Sequence, residues 1–203
     1  MADKIYRVNM STLSFSIEEV PTQWLGLGGR GLTSTIVATE VDPECHPLGP
    51  NNKLIFAPGL LSGTTAANSG RNSAGAKSPL TGGIKESNVG GTSAAIFAKL
   101  GVKALIIEGL PKDETTFYQL HITKDHVAFI KVPELVGKDN YFVLDAMLAK
   151  YDKKVAVMSI GRVGEMRMLT ANISVKDPKG KLRSHGRGGL GAVMGSKKIK
   201  CIT

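Results

Sequence analysis

Ser184–Ile202 reads SHGRGGLGAVMGSKKIKCI, and Ser87–Ile106 reads SNVGGTSAAIFAKLGVKALI. Laid side by side, Gly90 and Gly91 match Gly188 and Gly189, Ala94 matches Ala192, and Lys99 matches Lys197. After a small gap, Val102, Lys103 and Leu105 match Ile199, Lys200 and Ile202. Upstream, NKLIFAPGLLSG (52–63) resembles KKVAVMSIGRVG (153–164) at a similar separation. A chain that repeats itself in this way is expected to fold as one domain of two related halves with pseudo-twofold symmetry. Two glycine-rich corners, each followed by a short helix, would turn helix N-termini and backbone N–H groups toward a common axis. That setting suits a ligand that is itself roughly twofold and polyanionic.

The glycines alone do not name the ligand. Gly186, Gly188 and Gly191 spell G-x-G-x-x-G, the spacing of a dinucleotide loop, but that fingerprint needs an acidic residue about 20 positions further on for the ribose. The sequence stops at Thr203. A second match, Gly26, Gly28 and Gly31, has Glu40 and Asp42 downstream, yet it follows VPTQW, which reads as a loop and not as a buried strand.

Composition narrows the class. The 203 residues are 42% hydrophobic, enough for one substantial core, while aromatics are only 5%. Glycine supplies 24 residues, well above the usual share of about 7%, so backbone geometry is expected to matter more than bulky side chains. Lysine and arginine exceed the acids by nine, which favours anionic partners. The basic residues are not interleaved with aromatics, and no helix-turn-helix, RNP or zinc-finger spacing occurs, so phosphate on a small cofactor fits the charge as well as nucleic acid, which the absence of these motifs disfavours. Cys45 and Cys201 stand far apart, which excludes a disulfide framework or an iron-sulfur ligand set within these residues. MADKIYRVNM is not a signal peptide, and no apolar run approaches a membrane helix, so a cytoplasmic location without membrane insertion is expected.

Strands are expected over 4–10, 14–20, 53–58, 72–78, 104–109, 116–122, 126–132, 154–160 and 168–175, where short runs alternate or carry β-branched residues between turn signals. Helices are expected over 31–41, 91–101, 139–152 and 189–197, the third opening on Asp139 or Asn140 as its cap. Strands outnumber helices, which favours an α+β fold. Glu18, Glu19, Glu40 and Glu108 have no evident partner for proton transfer, and His46, His121, His126 and His185 show no metal-ligand spacing. No catalytic residue is assigned.

LGGRGL (27–32), SGRNSAGAKSPLTGGIKESNVGG (69–91) and GRGGLGAVMGSKKIK (186–200), in that order and spacing, resemble the N-terminal domain of the tungsten-containing aldehyde:ferredoxin oxidoreductase family. The resemblance spans residues 1–203 as a single domain. It implies two β-sheets with an internal duplication and a few short helices, carrying a bis-pyranopterin cofactor with tungsten or molybdenum. It further implies a magnesium ion bridging the phosphates of the two pterins. Carried over position by position, Arg71 would contact the cofactor, Asn88 would ligate magnesium through its carbonyl, and Gly90 would touch the pterin. Arg183, Gly186 and Arg187 would contact pterin or phosphate, and the carbonyl of Ser184 would be the second magnesium ligand. Ser184 and His185 replace small apolar residues common in the family, a change that a main-chain ligand tolerates.

The chemistry of these residue types agrees. An arginine fork suits phosphate and carbonyl edges, and magnesium takes hard oxygen ligands. In the family, further helical domains hold the iron-sulfur cluster and the acid-base residues near the metal. The chain is therefore expected to be a cofactor-binding domain or subunit, inactive alone, of an enzyme that oxidises an aldehyde-type substrate. Electrons would pass to ferredoxin through a cluster on other polypeptide. The expected partners are cluster-bearing domains or a cluster-bearing subunit and a ferredoxin-type acceptor, with a homo-oligomer as a further possibility. The alternative is a non-catalytic stand-alone module for assembly or for delivery of the pterin cofactor.

Overall fold

The computed structural model describes residues 4–203, and the expectations touching Met1–Asp3 lie outside the described residues. The first half runs β1 (Lys4–Asn9), β2 (Ser14–Glu19), a 3-10 turn (Thr22–Trp24), α1 (Gly29–Glu40), β3 (Leu54–Pro58), β4 (Arg71–Lys77), β5 (Ile84–Gly90), α2 (Ser93–Lys99) and β6 (Val102–Glu108). The second runs β7 (Tyr118–Thr123), β8 (His126–Lys131), a 3-10 turn (Pro133–Leu135), α3 (Asn140–Lys150), β9 (Met158–Ser159), α4 (Arg162–Glu165), β10 (Ile173–Lys176), β11 (Leu182–His185), α5 (Leu190–Ser196) and β12 (Ile199–Ile202).

The halves are topological copies. One sheet has the order β2-β1-β6-β3-β4-β5 and the other β8-β7-β12-β9-β10-β11, so adding six to each strand number converts the first into the second. In each, the first and last strands of the half pair in parallel and all other neighbours are antiparallel. Even the irregularities repeat. Register slips where Lys4 and Ile5 face Val102 and Ala104, and again where Tyr118 and Gln119 face Ile199 and Cys201. Lys103 and Lys200 are thus the extra residues of two equivalent bulges. Both side chains are buried and donate to a carbonyl just past a 3-10 turn, Lys103 Nζ to Leu25 O and Lys200 Nζ to Lys138 O, each at 2.8 Å.

The ladders correct the alignment read from sequence. Leu105, Phe56, Ala74 and Ser87 lie opposite one another across the first sheet, as Ile202, Met158, Val175 and Arg183 do across the second. Asn88 therefore corresponds to Ser184, Val89 to His185 and Gly90 to Gly186. Past the strands, Gly101 (φ 79°) and Lys198 (φ 56°) take the same left-handed turn after α2 and α5. Gly91 then matches Gly188, Ala95 matches Ala192 and Leu100 matches Lys197, with no gap before β12. Arg187 is the one inserted residue. Anchoring the alignment on the double glycines shifted the helix by one position.

The main core lies between the sheets, where Leu54, Phe56, Leu105 and Ile107 meet Leu120, Met158, Ile173 and Val175. On the outer face of the first sheet, Ile36 and Val37 of α1 pack on Ile55, Ala57 and Ile106. Val143, Leu144 and Met147 of α3 cover Cys201 on the outer face of the second. Strand β3 is buried on both faces, which is why its sequence reads as a continuous apolar run. Asp139 caps α3 as expected, its carboxylate accepting from Tyr141 N and Phe142 N at 2.9 Å.

Candidate cofactor site

β5 and β11 are the last strands of their sheets, and their edges face each other along the seam between the halves. His185 Nδ1 reaches Ser87 O at 2.7 Å, and Arg187 N donates to Ser87 Oγ at 3.4 Å. Two further bonds lock the seam: Thr92 N to Lys176 O at 3.0 Å, and Ser78 Oγ to Gly188 O at 2.7 Å. Beside these contacts opens a cleft of about 680 Å³. Arg71, Asn88 and Gly90 line it from the first half, and Arg183 and Ser184 from the second. Gly186 and Arg187, both exposed, follow directly after β11 but do not line the cleft itself.

The corners differ from the expected loops. β5 and β11 are strands, and so is β12, none of which was read from sequence. The N-terminus of α5 is not presented to a ligand. Gly189 takes a left-handed conformation under Leu169, where a Cβ would stand 2.2 Å from the Leu169 carbonyl oxygen. At α2 the Thr92 amide is taken by Lys176 O. The glycines there fasten the two halves together, and strand ends and arginines form the cleft.

Sequence reasoning missed the Asp177–Lys179 wall of the cleft. Asp177 Oδ1 accepts from the amides of Lys179 and Lys181 at 2.8 and 2.9 Å, and Oδ2 accepts from Arg183 Nε at 3.3 Å. The Lys181 amide, helped by that of Lys179 and by Arg183, holds this carboxyl below the usual range. The local signal was DPKG, an Asx-turn sequence between two strands. Across the cleft, Arg71 Nε donates to Asn88 Oδ1. Two arginines against one paired carboxylate leave the cleft electropositive.

His185 does not reach the cleft. It is fully buried at the position of Val89 in the other half, edge-on to Phe56 at 5.9 Å. Desolvation pushes its pKa down to about 4, so the ring is neutral and Nδ1–H donates to Ser87 O. Burial likewise raises the Cys201 thiol to about 12. Among the described residues no group of three or more His, Cys, Asp and Glu side chains is placed to hold a metal ion. All four glutamates flagged from sequence find ion-pair partners, Glu19 through Lys4. Arg7 bonds Glu18 and Glu40 at 2.9 Å and Glu108 at 3.3 Å, and Lys53 joins Glu40 and Glu108. Burial alone would raise the Glu40 carboxyl, but the bonds from Arg7 and Lys53 carry it below its ordinary value. These carboxylates are structural ion pairs at the outer end of the first sheet.

The excess of positive charge is also less superficial than composition suggests. Lys103, Lys176, Lys197, Lys198 and Lys200 are buried, four of them donating to main-chain carbonyls. No helix among the described residues is long and apolar enough to cross a membrane.

Comparison with known proteins adds a lineage. The chain is 38% identical over 205 residues to the tungsten-containing aldehyde ferredoxin oxidoreductase of Pyrococcus furiosus, covering 98% of this chain and 32% of that protein. The Thermococcus kodakarensis enzyme of the same name is 38% identical over 208 residues, with the same coverage. The chain thus spans about a third of the length of these relatives. Among solved structures, the active site complex BamBC of benzoyl coenzyme A reductase in complex with 1,5-dienoyl-CoA superposes with a TM-score of 0.88 at 30% identity. That match covers 99% of this chain and 30% of the other. The sequence model of the aldehyde ferredoxin oxidoreductase N-terminal domain matches residues 5–203, and this chain belongs to that family.

Proposed function

We propose that the chain is the cofactor-binding domain or subunit of a tungsten or molybdenum oxidoreductase, receiving a bis-pyranopterin cofactor in the cleft between β5 and β11. One observation supports the reading: two topologically identical halves contribute the equivalent residues Asn88 and Ser184 to the lining of one electropositive cleft. A ligand made of two like pterins, each with a phosphate, matches that symmetry. The residues present fit such a group. Arg71 and Arg183 supply planar donors inside the cleft, Arg187 supplies another at its rim, and the glycines leave room for a flat ring against the backbone. The main-chain carbonyls of Asn88 and Ser184 would hold a magnesium ion, a hard cation for hard oxygen ligands.

The bound metal would supply two-electron redox chemistry on an aldehyde-type substrate; this chain supplies binding, orientation and charge. Arg71 and Arg183 neutralise phosphate, while the interlocked edge strands hold the two binding positions in a fixed relation. Proton transfer and relay of electrons through an iron-sulfur cluster to a ferredoxin belong to other polypeptide. Covering polypeptide is favoured over a stand-alone module by the exposed apolar loops that lead into β4 and β10. Leu60 and Leu61 after β3, and Val163, Met166, Met168 and Leu169 around and after α4, are each 46–65% exposed.

Anaerobic purification from cells that make the cofactor, with tungsten, molybdenum and oxidised-pterin fluorescence measured on one sample, tests the proposal. About two pterins per metal are expected, with both lost together in Arg71→Ala and reduced in Arg187→Ala at unchanged melting temperature. A folded wild-type protein free of pterin and metal would overturn it.

A further inference from the structure

Asn88 is held by more than Arg71. Its Nδ2 donates to Ser73 Oγ at 3.0 Å, Ser73 Oγ donates to Glu86 Oε1 at 2.6 Å, and Glu86 Oε2 accepts from Arg30 Nε at 3.2 Å. Ser73 is fully buried and the Glu86 side chain is 6% exposed, while Arg30 is 74% exposed at the other end of the chain of bonds. The polarity of this chain is forced. A carboxylate has no proton to give, so the Ser73 hydroxyl proton must point to Glu86. The serine oxygen can then only accept from Asn88, which must present Nδ2 to it and leave Oδ1 facing Arg71. A buried anion thereby decides, two residues away, that Arg71 has an acceptor at Nε and keeps its terminal nitrogens for the cleft.

The second half has no such device. The ladders place Leu182 where Glu86 stands, Ser174 at Ser73, Ser184 at Asn88, and Asn172 at Arg71. Arg183, the cationic contributor of that half, is 64% exposed and tied to Asp177 by one bond of 3.3 Å. The twofold fold thus carries a one-sided polar network.

We propose that Glu86 and Ser73 are positioning residues: through Asn88 they preset Arg71 toward the cleft before any ligand arrives, and they do so in the first half only. Arg30, the arginine of LGGRGL, closes the outer end of the relay as the counter-ion of Glu86. One half of the site is rigid and the other adapts, so an anionic ligand engages Arg71 first. Its role as a ligand contact rests on the proposed function; the presetting does not.

The test uses the whole 203-residue chain, labelled with nitrogen-15 and free of ligand. The Arg71 Nε–H signal, identified by its loss in Arg71→Lys, is expected to be dispersed and slow to exchange with water. Ser73→Ala, and separately Glu86→Leu, should return it to the pool of solvent-exposed arginine signals, although neither residue touches Arg71. Glu86→Leu copies the residue at the equivalent position of the second half and is the second variant, read alongside Ser73→Ala with an unchanged melting temperature required of each. An Arg71 signal unmoved by both changes, or already in the solvent pool in the wild type, overturns the relay. Inorganic pyrophosphate is then titrated as a probe. Binding about tenfold weaker in Ser73→Ala, with no further loss when Ser73→Ala is added to Arg71→Ala, supports the relay. Additive losses count against it. A wild type that shows the dispersed signal but ignores pyrophosphate supports the relay and counts against the cofactor reading instead.

Discussion

His185 shows how one position can carry a pH dependence. The ring is neutral in the folded state, with a pKa near 4, whereas an unfolded histidine titrates near its ordinary value of 6.5. Between those values the unfolded chain binds more protons, so stability must fall as pH drops from about 6.5 toward 4. The whole effect is on the order of 3 kcal/mol. His185→Val, which copies Val89 of the first half, should flatten the acid limb of a denaturation-midpoint profile over that window. An unchanged slope would locate the acid sensitivity elsewhere. Lys197 acts with the same sign on the alkaline side. Its Nζ is fully buried against the carbonyls of Asn52 and Gly109 at 2.6 and 3.2 Å, and desolvation lowers its pKa to about 7. An unfolded lysine keeps its proton to about 10.5, so this site makes stability rise from pH 7 toward 10.5. Lys197→Met should remove that rise in urea midpoints measured across the same range. Leucine at the equivalent Leu100 shows that the fold does not need the charge there.

Elements differ in how plainly their residues announced them. The packing of α1 on β4 depends on Gly75, where a Cβ would sit 2.6 Å from Thr33 Cβ, atoms fixed to the backbone on both sides. Gly75→Ala should therefore cost about 1–3 kcal/mol in denaturant unfolding, as overpacking does. Gly83→Ala, with nothing within 4 Å of the new methyl, is the control and should stay near neutral. Strands with apolar alternation or continuous apolar runs, such as β3 and β6, were legible because burial writes itself into those patterns. β5 was not: IKESNVG hides its core-facing Ser87 and Val89 among polar residues that serve the seam. β11 and β12 are four residues each, too short for a period to declare itself, and IKCI carries a buried lysine, Lys200, at a bulge inside the strand. The repeat was legible before the strands that embody it, because the match of Val102, Lys103 and Leu105 to Ile199, Lys200 and Ile202 holds in the ladders, although the double-glycine and Lys99–Lys197 matches do not. Of the residues singled out from sequence, Arg71, Asn88, Gly90, Arg183 and Ser184 line one cleft while Gly186 and Arg187 do not, and the Glu86–Ser73 support was invisible, since strand register alone places those side chains side by side.

At the scale of the whole molecule, the outer sheet faces are covered by α1 and α3, but the loops that lead into β4 and β10 are not. Leu60 and Leu61 lead to Arg71 in the first half, and Val163, Met166, Met168 and Leu169 lead to Asn172 in the second. Duplication has thus placed two apolar loops at equivalent positions of one domain. Scattered exposed leucines are ordinary, but a set repeated by the symmetry of the fold supports the proposal that these loops meet further polypeptide. The relatives extend about three times the length of this chain, so polypeptide to cover the loops exists in those proteins. Alone at high concentration, the 203-residue chain should hide the loops by self-association and bind a hydrophobic dye. Leu61→Lys together with Met166→Lys should yield a dye-silent monomer in sedimentation equilibrium at unchanged melting temperature, because both side chains are more than 60% exposed and support no core. A wild type that stays monomeric and dye-silent up to millimolar concentration would mean the loops are self-sufficient, and the stand-alone reading of the domain would take precedence.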